Sequence, residues 1–264
     1  MREFLGPDQL GMLRAMDIQV WRSRAPLGVP APDAGVPLSS PSSTEASVED
    51  RPGEPDRVVP QVEPRVTETP PALSSSEIAQ ADWQTLQAVV SVCQRCALHT
   101  SRTQTVFGVG NRSADWMIIG EAPGAEEDRR GEPFVGKAGQ LLNEMLRAVG
   151  LAREDVYIAN ILKCRPPGNR NPQAEEAAAC ADYLRRQVEM IAPRLILAVG
   201  AIAAQNLLQV DQPVGRLRGT VHEYGVSGVP VVVTYHPAYL LRSPGQKRKA
   251  WADLCLARSV AGVS

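Results

Sequence analysis

The chain has 264 residues, 22 of them proline, with 44% hydrophobic residues and 28 basic against 29 acidic side chains for a formal charge of −1, a size that allows one or two domains. It contains no run of about eighteen apolar residues, which excludes a membrane-spanning helix. The start, MREFLGPDQLGMLRAMD, has acids and a proline where a signal peptide needs an apolar core, so a cytoplasmic protein is expected.

The near-zero charge hides two unlike parts. Residues 1–85 hold 12 prolines and 7 basic against 13 acidic side chains, whereas the remainder carries 21 basic against 16 acidic. Within the first part, residues 1–24 form a short arm with Leu10, Leu13 and Met16 at helical spacing, followed by Ile18, Val20 and Trp21. Such an arm either rests on its own domain or docks on a protein partner. Residues 25–81 are dominated by Pro, Ser and acidic residues without periodicity, and are expected to be a disordered linker because they bury too little apolar surface to offset ordering entropy.

Residues 82–264 form the folded body. WMIIG at 116–120, VYIAN at 156–160, LILAVG at 195–200 and VPVVVTYH at 229–236 are short apolar runs of the kind buried on both faces of a parallel sheet. KAGQLLNEMLRAVG between the first two puts Leu142, Met145, Leu146 and Val149 on one helical face, with Gly150 as the stop. A second helix starts near Asn171 and Pro172 and carries Tyr183, Leu184, Val188 and Ile191 as far as Pro193. Residues 201–208 give a third helix, and RGTVHEYGVSG is a hairpin partner for the last strand. Strands alternating with helices imply an α/β fold, a three-layer α/β/α sandwich around a central, mainly parallel four-stranded sheet. Glu121, Asn160, Gly200 and His236 then sit at or just beyond strand ends, the edge where open α/β sheets bind ligands.

Five cysteines in a reducing compartment point away from a disulfide framework. Cys93 and Cys96 form a CxxC; Cys164 and Cys180 lie in a second region, separated by fifteen residues. Four thiolates in two such clusters suit a tetrahedral zinc or an iron–sulfur cluster, and spacing alone does not choose between them. The last two also read as ordinary buried cysteines. His99, at C-x2-C-x2-H spacing, is an alternative ligand, and Cys255 reads as a core residue of an apolar helix.

GEAPGAEEDRRGEPFVGKAGQLL runs from the first strand into a helix. Its glycines let backbone N–H groups approach a ligand, but it has neither GxGxxG nor the GK[ST] of a phosphate loop. Phe134 lies in this loop as a core residue or a stacking platform. Asn160 offers an amide with a donor and an acceptor, and His236 an imidazole N–H. A ring, an amide and an imidazole together would read a pyrimidine.

GEAPG, GEPFVGKAG, VYIANILKCRPPGNRNP and HPAYLLR, in this order and with the four cysteines so placed, resemble the family 4 uracil-DNA glycosylases, the iron–sulfur type. The resemblance covers residues 89–256. It implies that Cys93, Cys96, Cys164 and Cys180 ligate a 4Fe–4S cluster, and that the substrate is uracil-containing DNA. It also implies that Phe134 stacks on a flipped-out uracil, Asn160 reads its lactam edge and His236 donates to the departing base. Ala122 occupies the loop position where related glycosylases carry an Asp, which leaves Glu121 as the nearest carboxylate to orient water. Tyr239, Leu240 and Leu241 are expected to wedge into the base stack. Arg242, Lys247, Arg248 and Lys249 are expected to neutralise phosphates; as a plain reading they form a solvated basic turn. A monomer is expected. A different class, a non-enzymatic nucleic-acid binding module with a structural four-cysteine metal, fits the same cysteines without the pocket chemistry.

Overall fold

The computed structural model describes residues 73–225 and 227–262. The expected arm at 1–24 and the linker up to residue 72 lie outside them. The linker's expected end is too late: α1 (Ser75–Gln80) is a helix that opens with Ser74 and Glu77 in a reciprocal capping box and buries Ile78. It is followed by α2 (Trp83–Ser91), capped by Asp82. Both pack on Tyr183 and Phe107 in one apolar cluster, so the folded body begins before residue 82.

Next come β1 (Val109–Gly110), β2 (Trp116–Gly120), α3 (Ala125–Arg130), α4 (Lys137–Ala148), β3 (Tyr157–Asn160), α5 (Ala174–Ile191) and β4 (Leu195–Val199). The chain then forms α6 (Ala201–Leu208), α7 (Val214–Leu217), β5 (Val221–Tyr224), β6 (Val229–Thr234), α8 (Pro237–Arg242) and α9 (Lys247–Ala261). The sheet has six strands in the order β1-β3-β2-β4-β6-β5, two more than expected. The four central strands are parallel, and β1 and β5 add antiparallel at the two edges. β5 is the hairpin partner read from RGTVHEYGVSG; β1, two residues with a glycine, has no periodic pattern to announce it.

Side-chain alternation builds the layers. Met117, Ile119, Tyr157, Ala159, Ile196, Ala198, Val231 and Val233 face one cluster with α5 and α6. Trp116, Ile118, Ile158, Leu195, Leu197 and Val232 face the other, with α4 and α9. The helix stripes read from the sequence supply the covering: Leu142, Met145, Leu146 and Val149 on one side, Leu184, Val188 and Ile191 on the other. α5 ends at Ala192, which takes a left-handed φ of 48° ahead of Pro193, a residue that disfavours helix in its predecessor.

Register places the site. Gly120 pairs with Asn160, and Val199 with Thr234, so the residues that leave these four strands emerge along one edge. The far side of β6 is secured by a buried ion pair. Arg218 donates twice to Asp253, at 3.0 and 2.8 Å, and once to the Lys249 carbonyl at 2.6 Å. Asp253 is fully buried, and removing it strands a guanidinium inside the fold. Asp253→Ala is expected to lower unfolding stability by about 3–5 kcal/mol, read from the urea midpoint; a change within error would mean that solvent satisfies Arg218.

Candidate active site

The sheet's edge opens into a cavity of about 480 Å³ whose walls include Glu121, Ala122, Phe134, Asn160 and His236. Four stretches distant in sequence meet here, because each leaves a neighbouring strand or belongs to the loop above it. Gly200 does not line the cavity but backs the imidazole.

Asn160 closes β3. Lying two residues beyond Ile158, it projects to the face that holds Phe134. Its side chain is buried, and the amide oxygen Oδ1 has no hydrogen-bond partner among the described residues. A buried acceptor left unsatisfied costs about 1–3 kcal/mol, so this oxygen is prepared for a donor from a ligand.

Phe134 is held in an unusual conformation. Its φ is +53°, a left-handed value that bulky residues rarely adopt. Arg153 fixes this turn by donating to the carbonyls of Pro133 at 2.6 Å and Phe134 at 3.3 Å. Gly139 permits it: a Cβ there would lie 1.7 Å from the Phe134 carbonyl oxygen. From the other side Glu127 accepts from Gly124 N at 3.1 Å, Val135 N at 3.0 Å and Gly136 N at 3.2 Å. One carboxylate thereby clamps the GEAPG loop to the PFVG loop.

His236 is the N-cap of α8. Its Nδ1 accepts from Ala238 N at 3.1 Å, which leaves the ring proton of the neutral imidazole on Nε2. Burial, with a smaller contribution from the nearby Arg242, pushes its pKa down to about 4. The ring therefore stays neutral at physiological pH. It stacks near Phe134, with centroids 5.6 Å apart and planes inclined by 28°.

Glu121 sits half-buried at the start of the loop, and burial raises its carboxyl above the usual range. Among the described residues no side chain forms an ion pair with it. Ala122, beside it, brings no titratable group. At the mouth, Arg170 is braced by a two-pronged pair to Glu176 at 2.6 and 2.9 Å, and Arg242 and Tyr239 complete the rim.

The expected DNA-facing tip divides in two. Tyr239 and Leu241 are exposed at 37% and 45%, but Leu240 is fully buried and belongs to the α4–α9 core. A short helix presents successive residues on different faces, so three consecutive residues cannot all wedge outwards; Leu240 is corrected to a core residue. Lys247 is also corrected: it is buried in the first turn of α9, whereas Arg242 and Arg248 are exposed. Cys255 reverses the other way, exposed on α9 and not in the core.

On the sheet's opposite face the cysteines assemble. Cys164 and Cys180 are buried in the α5–α6 cluster with Cys96 packed against it. Each is free of disulfide, as is Cys93. Burial is the main influence on them: it pushes Cys180 up to about 12 and raises Cys164 and Cys96. Their charges are mutually felt, Cys164 by Cys96 and Cys93, and Cys180 by Cys164 and Cys96. Donors reach the sulfurs: Arg102 to Cys164 at 3.1 Å, Tyr183 to Cys93 at 3.3 Å and Arg95 N to Cys93 at 3.5 Å. Among the described residues no three His, Cys, Asp or Glu side chains group tightly enough for a single metal ion. His99 instead engages the Cys96 carbonyl through Nδ1 at 2.8 Å.

Glu127, Arg153 and Gly139 were not singled out by sequence reasoning. Glu127 was within reach, since it stands three residues after Gly124 at capping-box spacing. Arg153 has no local signature because its targets lie twenty residues away in a loop.

Over the ends of the parallel central strands, the cavity thus brings together an aromatic ring, a neutral imidazole and an amide oxygen without a partner among the described residues. The model of the uracil DNA glycosylase superfamily matches residues 107–255. Among curated proteins, the type-4 uracil-DNA glycosylase of Archaeoglobus fulgidus is 48% identical over 167 residues, 61% of this chain and 84% of that protein. The type-4 enzyme of Pyrobaculum aerophilum is 42% identical over 181 residues, 66% of this chain and 92% of that one. The type-5 enzyme of the same organism reaches only 33% over 152 residues, 52% of this chain and 67% of that one. The chain belongs to the uracil-DNA glycosylase superfamily, in its type-4 branch. Among the described residues no helix is long and apolar enough to cross a membrane.

Proposed function

We propose that this protein extracts uracil from DNA and hydrolyses its N-glycosidic bond, leaving an abasic site. The observation that carries the reading is the buried, unpartnered Oδ1 of Asn160 beside Phe134 and a neutral His236. Uracil presents a ring N–H next to carbonyl oxygens, so its lactam N–H satisfies the amide oxygen while the ring lies against Phe134. Cytosine lacks that N–H, and its amine opposes the amide's own donor. Flipping the nucleotide costs a few kcal/mol, which stacking and the amide bonds offset.

As the bond breaks, electrons pass to the base and the sugar becomes cationic. His236 Nε2–H is the donor for the carbonyl oxygen that gains charge, and a neutral donor in a dry site is worth far more than in water. Glu121 is the carboxylate left to orient the attacking water, since Ala122 has nothing to accept a proton. Arg170, Arg242 and Arg248 neutralise phosphates, and Tyr239 and Leu241 fill the gap left by the base.

The four thiols fit a 4Fe–4S cluster. Burial keeps Cys164 and Cys180 protonated unless a strong positive charge lies beside them, and N–H and O–H donors of the kind that tune cluster sulfurs already reach Cys93, Cys164 and Cys180. Cys93, Cys96, Cys164 and Cys180 would hold it, and when bound it pins the CxxC segment and the RPPGNRNP loop that ends at the cavity mouth. The test is single-turnover cleavage of a uracil-containing oligonucleotide against its thymine counterpart, on protein assayed for iron. Cleavage confined to uracil by a brown, iron-containing protein is expected. No cleavage by iron-replete protein would favour a binding module, and colourless, zinc-loaded protein would overturn the cluster.

A further inference from the structure

Between the cysteines and the cavity lies a buried cation that the reaction chemistry does not use. Lys163 is 1% exposed, yet among the described residues no carboxylate lies within ion-pair distance of it. Its ammonium donates to the backbone carbonyl of Asn160 at 3.1 Å and to Gln187 Oε1 at 2.7 Å. Gln187, fully buried, is itself held by donating to the Phe107 carbonyl at 3.0 Å and the Tyr157 hydroxyl at 3.2 Å. Burial lowers its pKa, and the ionisable groups whose charge would counter that are the thiols of Cys180 and Cys164; its own backbone N–H bonds to Cys180.

Burying an ammonium is expensive unless an opposite charge compensates it. Two neutral carbonyl acceptors do not supply that charge; a thiolate-ligated group does. Lys163 precedes Cys164, its backbone N–H meets Cys180 and its side chain holds the Asn160 carbonyl, so one residue touches both functions.

We propose that Lys163 is a positioning residue that serves as internal counter-charge to the cysteine-bound group and simultaneously anchors the Asn160 carbonyl, so that the four-cysteine site and the base-reading amide are mechanically joined. This rests on the reading above that the cysteines hold a 4Fe–4S cluster and that Asn160 contacts uracil. The anchor fixes the end of β3, and with it the direction of the amide; the counter-charge makes that anchor depend on the group being present.

The test uses full-length, iron-loaded protein and the substitution Lys163→Met, which keeps length and removes charge. Two readouts are expected to move together. The reduction potential of the cluster, measured by voltammetry, shifts to a more negative value because a nearby positive charge is gone. The turnover rate on uracil-containing DNA falls roughly tenfold to a hundredfold, the usual effect of outer-sphere partners, while KM for DNA is unchanged. Gln187→Glu separates the two roles: the new carboxylate offsets the ammonium's field but leaves the bond to Asn160, so the potential again becomes more negative while the rate stays above that of Lys163→Met. An unmoved potential in either variant overturns the counter-charge, and an unchanged rate in Lys163→Met overturns the anchor. If Lys163→Met does not fold, Gln187→Glu alone decides the counter-charge. Wild-type protein without iron or without uracil release would overturn the underlying reading and this inference with it, whereas active, iron-loaded wild type beside indifferent variants overturns the inference alone.

Discussion

His236→Ala is expected to slow single-turnover uracil release by about 10²–10³-fold, the loss that follows removal of one donor from a preorganised charge-stabilising site, with DNA affinity little altered. The argument begins with a backbone bond. Ala238 N–H takes Nδ1 of His236 as its acceptor, so the helix that begins at Pro237 selects the tautomer with the proton on Nε2. Burial then lowers the ring's pKa to about 4. The rate of the wild type should therefore be insensitive to His236 titration from neutral pH down to about pH 5. Only below about 4 would protonation break the Nδ1 bond and disturb the cap. A rate that instead rose on acidification with a midpoint near 6 would mean that a protonated imidazole does the work. A variant as fast as wild type would remove His236 from the chemistry.

Much of this architecture was legible in the residues. The four parallel strands announce themselves as apolar runs because both faces are covered, and the helices as stripes whose members all reach the core. His236, Asn160 and Glu121 were found by a single rule, that residues just beyond parallel strands converge. What escaped was of two kinds. Short edge strands such as β1 carry no period, and their pairing is set by a neighbour fifty residues away. Consecutive residues in a one-turn helix were read as one surface, although Tyr239, Leu240 and Leu241 face different ways and only tertiary packing decides which is inside. The clamp residues Glu127 and Arg153 were missed for a related reason: their partners are backbone groups in distant loops, and only the capping-box spacing of Glu127 after Gly124 leaves a local trace. Lys163 could have been suspected only as a basic residue beside a candidate ligand, Cys164.

Gly120→Ala carries the largest effect expected from the smallest change. A Cβ on Gly120 would stand 2.5 Å from Asn160 Oδ1 and 2.7 Å from Cε2 and Cζ of Phe134. Both side chains are buried, at 2% and 7% exposure, and the Phe134 backbone is held by Arg153 and by contact with Gly139, so the ring cannot simply retreat. The added methyl must displace the amide or the ring, and displacement of about 1 Å at a reacting site is enough to lose about 10²-fold in rate. Stability should suffer less, about 1–3 kcal/mol for a single overpacked methyl, because the colliding groups line a cavity and have space on its side. The expected outcome is thus a folded protein that retains its affinity for undamaged DNA but excises uracil at least about a hundredfold more slowly. Gly136→Ala is the control, since a Cβ there meets only Glu127 Oε1, at 3.7 Å, and should leave both rate and melting temperature nearly unchanged. If Gly120→Ala excises uracil at the wild-type rate, the amide and ring tolerate displacement and the close approach of Asn160 to Phe134 is not what recognises the base. If it fails to fold, the contact belongs to the core, and the pocket would have to be probed through Asn160→Asp, which keeps the shape, loses the amide donor and sets a carboxylate against the uracil carbonyl.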